Sequence, residues 1–162
     1  MIKALKLVVI LTAALLLQVT LLPRWVADPF QPNLLIVFVV YLGLRGGGRA
    51  DWTLVLLLGL IQDSFSGIYL GLHGFCYLLV YLFLKSVADR VYADSSRLVI
   101  LMVFIATVVT GLLQILLLSM FSAAPGIYAS IFYALVPQGL VSALAASVMV
   151  SFPLFPFLEK HR

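Results

Sequence analysis

Long apolar runs, separated by short basic or turn-forming segments, are the feature that most constrains this sequence. Hydrophobic residues make up 64% of the chain and charged residues only 10%. In an ordinary soluble domain about 25% of the residues are charged. The apolar surface therefore exceeds what a soluble fold would bury and needs lipid as its solvent. The pattern predicts an all-α membrane protein.

Six apolar segments are expected within a single integral membrane domain that covers residues 1–162. The first follows Lys3 and Lys6 as in a signal peptide, but it has the length of a spanning helix and no small-x-small cleavage site. We therefore expect a retained helix. The third run, Trp52–Ile61, would be about 15 Å long as a helix, whereas the hydrocarbon core is roughly 30 Å thick. Segments 3 and 4 are therefore expected to be short or broken. The approximate bounds of the six-segment bundle are 4–22, 33–44, 52–62, 68–84, 98–120 and 129–152.

The basic residues fall between the apolar runs, which indicates membrane topology rather than nucleic-acid binding. With six crossings, one side of the membrane receives every Lys and Arg except Arg24. The positive-inside rule then places both termini in the cytoplasm. A re-entrant hairpin at segments 3 and 4 would give the same charge distribution, so charge does not separate the two topologies. The basic residues on the shared side are Lys3, Lys6, Arg45, Arg49, Lys85, Arg90, Arg97, Lys160 and Arg162.

The stretch GLIQDSFSGIYLGLHGF, residues 59–75, is where an acid and turn-forming residues interrupt the apolar pattern. If segment 3 starts at the inner edge of the membrane near Asp51, Asp63 lies about 18 Å further along the helix. Its carboxylate would then be inside the membrane or near the outer edge. An intramembrane acid is a functional-site hypothesis by default. The alternative, which we favour, is that the carboxylate caps segment 4 or tethers the turn through backbone N–H groups. The hairpin residues of interest are Gly59, Asp63, Gly67, Gly71, His73 and Gly74, with His73 expected to be a hydrogen-bonded packing residue.

Two further sets of residues are candidates for binding. An outer polar cluster of Gln18, Asp63, Gln114 and Gln138 could line a ligand pocket or join helices, and interhelical bonds are the commoner use of such residues. Gly139, Ala143 and Ser147 repeat at a spacing of four on segment 6. Such a row serves either packing within the bundle or docking of a partner's membrane helix, and both interpretations stay open.

Enzyme motifs are absent from the sequence, and one cysteine with two histidines provides no metal framework. One intramembrane acid without a second acid or a base makes catalysis an unfavoured interpretation. We therefore expect neither catalytic residues nor a metal or cofactor.

The motif GLIQD at 59–63, Gly67 and LGLHGF at 70–75, supported by PNLL at 32–35 and Tyr41, resembles the MreD family of bacterial rod-shape-determining membrane proteins. The resemblance implies a non-catalytic component of the elongasome in the bacterial inner membrane, which supports peptidoglycan synthesis and cell shape. It implies binding to the single-span protein MreC. It also implies indirect association with the MreB filament, RodA and its penicillin-binding protein.

The MreD family is also similar in fold to the substrate-binding S components of energy-coupling-factor transporters. This similarity supplies the alternative hypothesis, a vitamin-uptake protein with an outward pocket. Gln18, Asp63, Gln114 and Gln138 would line that pocket. Copurification of a single-span partner favours the scaffold, whereas a vitamin-sized bound ligand favours the transporter component.

Overall fold

The computed structural model describes residues 12–16, 18, 20, 24, 30–46, 51–66, 69–88, 96–121 and 125–151. All regular structure in these ranges is helical, as the apolar pattern predicts. Residues 12–16 are helical, but most of the expected first helix, 4–22, lies outside the described residues, as does Gly67. The five helices with defined bounds are α1 (Leu34–Arg45), α2 (Asp51–Ser66), α3 (Leu72–Ala88), α4 (Ser96–Phe121) and α5 (Pro125–Ser151).

Helix α1 is the centre of the bundle. Every residue from Leu34 to Leu44 is buried, mainly against α3, α4 and α5. A helix that is apolar on all sides needs neighbours on all sides. With 12 residues, α1 is about 18 Å long. This is shorter than a hydrocarbon core of roughly 30 Å.

Helices α2 and α3 form a tightly packed antiparallel hairpin. A Cβ added to Gly59 of α2 would lie 2.3 Å from the Cα of Gly74 of α3, so the two backbones are almost in contact. Helix α3 then runs parallel to α1, because Asn33 meets Tyr77 near one end and Gly43 meets Leu84 near the other.

Helices α4 and α5 form the long pair of the bundle. The segments Arg97–Phe121 and Tyr128–Ser151 are long and apolar enough to cross a membrane, whereas α1 and α3 are shorter apolar helices. The pair is antiparallel, since Gly111 packs against Leu135 and Gly139 packs against Phe104. The short hairpin and the short central helix therefore lie beside two helices of full spanning length.

The helix ends differ from the expected bounds at identifiable places. Helix α2 continues to Ser66 rather than 62. The Ser64 and Ser66 hydroxyls donate to carbonyls of the same helix, and the Asp63 carboxylate accepts from an N–H donor beyond it. Helix α3 begins at Leu72 rather than 68 and ends at Ala88 rather than 84. Helix α5 begins at Pro125 rather than 129, since the first helical position does not need the N–H that proline lacks.

Candidate functional site

The Asp63 carboxylate is sealed inside the α2–α3 hairpin. The residue is 2% exposed. Its Oδ2 accepts hydrogen bonds from the backbone N–H groups of Gly71, at 2.9 Å, and Gly74, at 3.1 Å. Its Oδ1 accepts the backbone N–H of His73 at 2.9 Å and lies 2.8 Å from Nδ1 of the same residue's ring. A carboxylate has about four lone-pair sites, so these four contacts fill it.

The backbone donors to Asp63 belong to the N-terminus of α3. The first N–H groups of a helix have no partner within the helix. Gly71 directly precedes α3, and its carbonyl accepts the first helical hydrogen bond, from Phe75, at 2.9 Å. Gly71 has φ of +96°, a conformation that glycine adopts without steric penalty. Asp63 thus caps α3 from the preceding helix, and its negative charge lies at the favourable end of the helix dipole.

The His73 side chain packs inside the same hairpin. It is 13% exposed, and its ring makes an edge contact with Tyr77, with the centroids 6.0 Å apart and the planes at 78°. When Nδ1 carries the proton, it donates to Asp63. The Asp63 side chain therefore holds both the backbone and the ring of His73.

A second polar group of side chains joins α1 to α3 and α5. Asn33 is the N-cap of α1, and its Oδ1 accepts the N–H of Ile36 at 3.2 Å. The Nδ2 of Asn33 donates to the hydroxyl of Tyr77 at 2.7 Å. The backbone N–H of Asn33 donates to Oγ of Ser142 at 2.9 Å. Both of these partners are fully buried.

Gln18 supplies a second cap to α1 from the N-terminal segment. Its Oε1 accepts the backbone N–H groups of Leu34 and Leu35 at 3.0 and 3.3 Å, and its Nε2 donates to Oε1 of Gln62 at 3.4 Å. Helices α1 and α3 therefore both begin with N–H groups that side chains of other segments satisfy. Hydrocarbon provides no hydrogen-bond partners, so a helix that begins below a membrane surface needs partners for its first N–H groups within the protein. We call the seven side chains the cap network: Gln18, Asn33, Gln62, Asp63, His73, Tyr77 and Ser142.

The other predicted site residues lie elsewhere in the bundle. Gln114 and Gln138 are half-buried on α4 and α5. Among the described residues, the hydrogen bonds of Gln18 and Asp63 run to the partners above and reach neither of these glutamines. The sequence indicates how far along its helix a residue lies. It does not determine the direction in which the side chain points around the bundle.

The small residues of α5 pack within the chain at several positions. A Cβ on Gly139 would lie 3.0 Å from the ring of Phe104. Ser142 and Ala146, on the adjoining row, are fully buried, whereas Ala143 and Ser147 are half-buried. At Gly139 the small side chain therefore allows close packing of α4 against α5.

Sequence reasoning missed Gln62, Tyr77 and Ser142 as members of the cap network. A weak signal for each was present. Gln62 adjoins Asp63, Tyr77 lies four residues after His73 on the same helix face, and Ser142 lies in the small-residue region of α5. None of these signals identifies a partner on another helix.

Tyr77→Phe is expected to destabilise the protein by about 1–2 kcal/mol, because it removes the partner of the buried Asn33 amide. Thermal unfolding in detergent, followed with a thiol-reactive dye on the lone and buried Cys76, measures the loss. Tyr133→Phe is the matched control, since Tyr133 is exposed. Equal unfolding temperatures for the two variants would contradict a stabilising role for the Asn33–Tyr77 bond.

Comparison with protein families gives one match across almost the entire sequence. The family model described as rod shape-determining protein MreD covers residues 1–161. No curated protein and no solved structure matches significantly. MreD proteins are shape-determining membrane proteins and are not a known enzyme family. Because the match covers essentially the whole chain, this protein belongs to the MreD family of rod shape-determining membrane proteins.

Proposed function

We propose that this protein is a non-catalytic scaffold of the rod-shape complex in the inner membrane, where it binds MreC and supports peptidoglycan synthesis. Membership of the MreD family supports a role in rod shape determination. The observation that carries the scaffold interpretation is the saturation of Asp63. Its two oxygens accept four contacts from Gly71, His73 and Gly74. The one acid of the stretch 59–75 is thus used to hold α2 and α3 together.

The same geometry argues against the vitamin-uptake alternative. A ligand pocket at the predicted outer cluster would need Gln18 and Asp63 to present unused polar atoms. The Oε1 of Gln18 instead caps α1, and Asp63 caps α3. Any ligand would have to compete with backbone groups that have no other acceptor in hydrocarbon.

The surface that we assign to protein and lipid contact is apolar. Helix α5 exposes a row of large apolar and aromatic side chains along most of its length, and α4 exposes a comparable row. In the scaffold, these faces and the small-residue positions hold the membrane helix of MreC, and the loops set the geometry of the cell-wall enzymes. The exposed large apolar and aromatic side chains of α5 are Phe132, Tyr133, Val136, Leu140, Leu144 and Val148.

Affinity purification of the tagged protein from bacterial membranes tests the proposal. We expect MreC to elute with it in comparable amount, and we expect mass spectrometry to find no vitamin-sized ligand. A matched purification of an unrelated six-helix membrane protein controls for detergent-mediated association. Elution with transporter ATPase subunits or a bound vitamin, and without MreC, would reverse the assignment.

A further inference from the structure

Helices α1 and α3 end in the same side-chain arrangement. The guanidinium of Arg45 lies 5.6 Å from the ring centroid of Tyr41, and the ammonium of Lys85 lies 5.4 Å from that of Tyr81. In both helices the cation follows the tyrosine by four residues, so the two side chains share a helix face. Both tyrosines are buried. The Tyr41 ring attracts the guanidinium of Arg45, whereas Tyr81 orients the ammonium of Lys85 through its hydroxyl.

The two arrangements lie at the same end of the bundle, because α1 and α3 are parallel and closely packed. A Cβ on Gly43 would lie 2.9 Å from the Cβ of Leu84. Arg45 follows Gly43 by two residues and Lys85 follows Leu84 by one, so the Cα atoms of both residues lie within about 3 Å of helical rise of that contact. Both are also in the last turn of their helices, where the dipole favours positive charge.

Lys85 retains hydrogen-bonding capacity. Its ammonium donates to the Tyr81 hydroxyl at 2.9 Å, and an ammonium group has three donors. The side chain is exposed, so the remaining two donors face the surroundings of the bundle. The tyrosine thus fixes the position of the ammonium and leaves it able to bind an anion.

The charges around this end favour an anion. In the part of the chain that the structure describes, the nearby acid is Asp51, whose Oδ2 would lie 2.7 Å from a Cβ on Gly46, and it offsets one of the two cations. Helix α4 adds the exposed Arg97 in a first turn that contains no acid. Among the described residues, positive charge therefore exceeds negative charge here, at the end of the bundle opposite the cap network.

We propose that the pairs Tyr41–Arg45 and Tyr81–Lys85 bind the headgroup phosphate of an anionic phospholipid. A guanidinium matches two phosphate oxygens, and an ammonium adds a compact charge. Basic side chains at the end of membrane helices are where the phosphates of anionic lipids lie. The site requires only that the chain lies in a membrane, which its family establishes, and it is independent of MreC.

Lipid retention measured by native mass spectrometry tests the site. The protein is released from nanodiscs of phosphatidylcholine that contain an equal amount of phosphatidylglycerol, and the retained lipids are counted. We expect the wild-type protein to retain phosphatidylglycerol preferentially. Lys85→Gln and Arg45→Gln should each lower that preference about fivefold, whereas Lys85→Arg should preserve it. Arg24→Gln, at an exposed basic residue of the N-terminal segment, should have no effect.

Several results would overturn the proposal. Equal retention of the two lipids by the wild-type protein would show that there is no site. If Arg24→Gln lowered the preference for phosphatidylglycerol as much as the other variants, the preference would reflect general surface charge. Displacement of the lipid by millimolar inorganic phosphate would indicate a site for free phosphate instead. Preferential retention of an acidic peptide would assign the surface to a protein partner. Labelling of Cys76 on heating shows whether each variant is folded.

Discussion

Asp63→Ala is expected to lower the free energy of unfolding by about 2–4 kcal/mol, the larger of the two main effects that the structure predicts. The substitution leaves the backbone N–H groups of Gly71, His73 and Gly74 and the His73 ring without their acceptor. Water cannot replace that acceptor inside a buried hairpin. Thermal unfolding followed by dye labelling of Cys76, which is buried in α3, measures the change.

Two further variants make the Asp63 measurement specific. Asp63→Asn keeps one acceptor oxygen but turns an NH₂ group toward N–H donors, so we expect a loss smaller than that of alanine but still measurable. Ser64→Ala is the matched control, because Ser64 is exposed and its hydroxyl donates to the carbonyl of Leu60 in its own helix. Unfolding of Asp63→Ala at the wild-type temperature would mean that the cap which Asp63 provides to α3 does not contribute to the stability of the protein.

Gly59→Ala is expected to destabilise the hairpin by about 1–3 kcal/mol through overpacking. The new Cβ would lie 2.3 Å from Cα and 2.6 Å from N of Gly74. These are backbone atoms, so the helices must separate. Gly59 lies one turn before Asp63, on the same face of α2. The separation therefore also lengthens the hydrogen bonds of the carboxylate.

Gly74→Ala is the matched control for Gly59→Ala, from the other side of the same contact. The three atoms nearest to its Cβ would all belong to Leu60, at an ordinary 3.5 Å, and alanine gains about 1 kcal/mol of helix propensity over glycine. We expect Gly74→Ala to unfold at or above the wild-type temperature and Gly59→Ala clearly below it, in the Cys76 assay. The reverse order would contradict the close backbone approach at Gly59.

The helices were largely predictable from hydropathy, and the Asn33 cap was predictable from local sequence. The role of Asp63 was open, because the sequence did not say whether it stood in a loop or in the last turn of α2. Only the folded hairpin brings Gly71, His73 and Gly74 within about 3 Å of its oxygens. The four contacts that favour a structural role for Asp63 therefore form only in the tertiary structure.

Gln18 and Gln114 show where prediction from helix position stops. The distance of each residue from its helix end indicated that both side chains lie at a similar depth in the membrane, which suggested one polar cluster. Gln18 instead reaches the N-terminus of α1, and Gln114 is half-buried on α4. Which way a side chain points around a bundle depends on how the helices pack, and an apolar sequence with little amphipathic contrast provides little information about that packing.

Residue-resolved amide hydrogen exchange of Gly71, His73 and Gly74 tests the central claim, that the Asp63 carboxylate is an internal cap. We predict that these three amides are strongly protected in the wild-type protein. We also predict that Asp63→Ala removes their protection and leaves that of α4 unchanged. Rapid exchange of the three amides in the wild-type protein, or protection that survives in Asp63→Ala, would contradict the account.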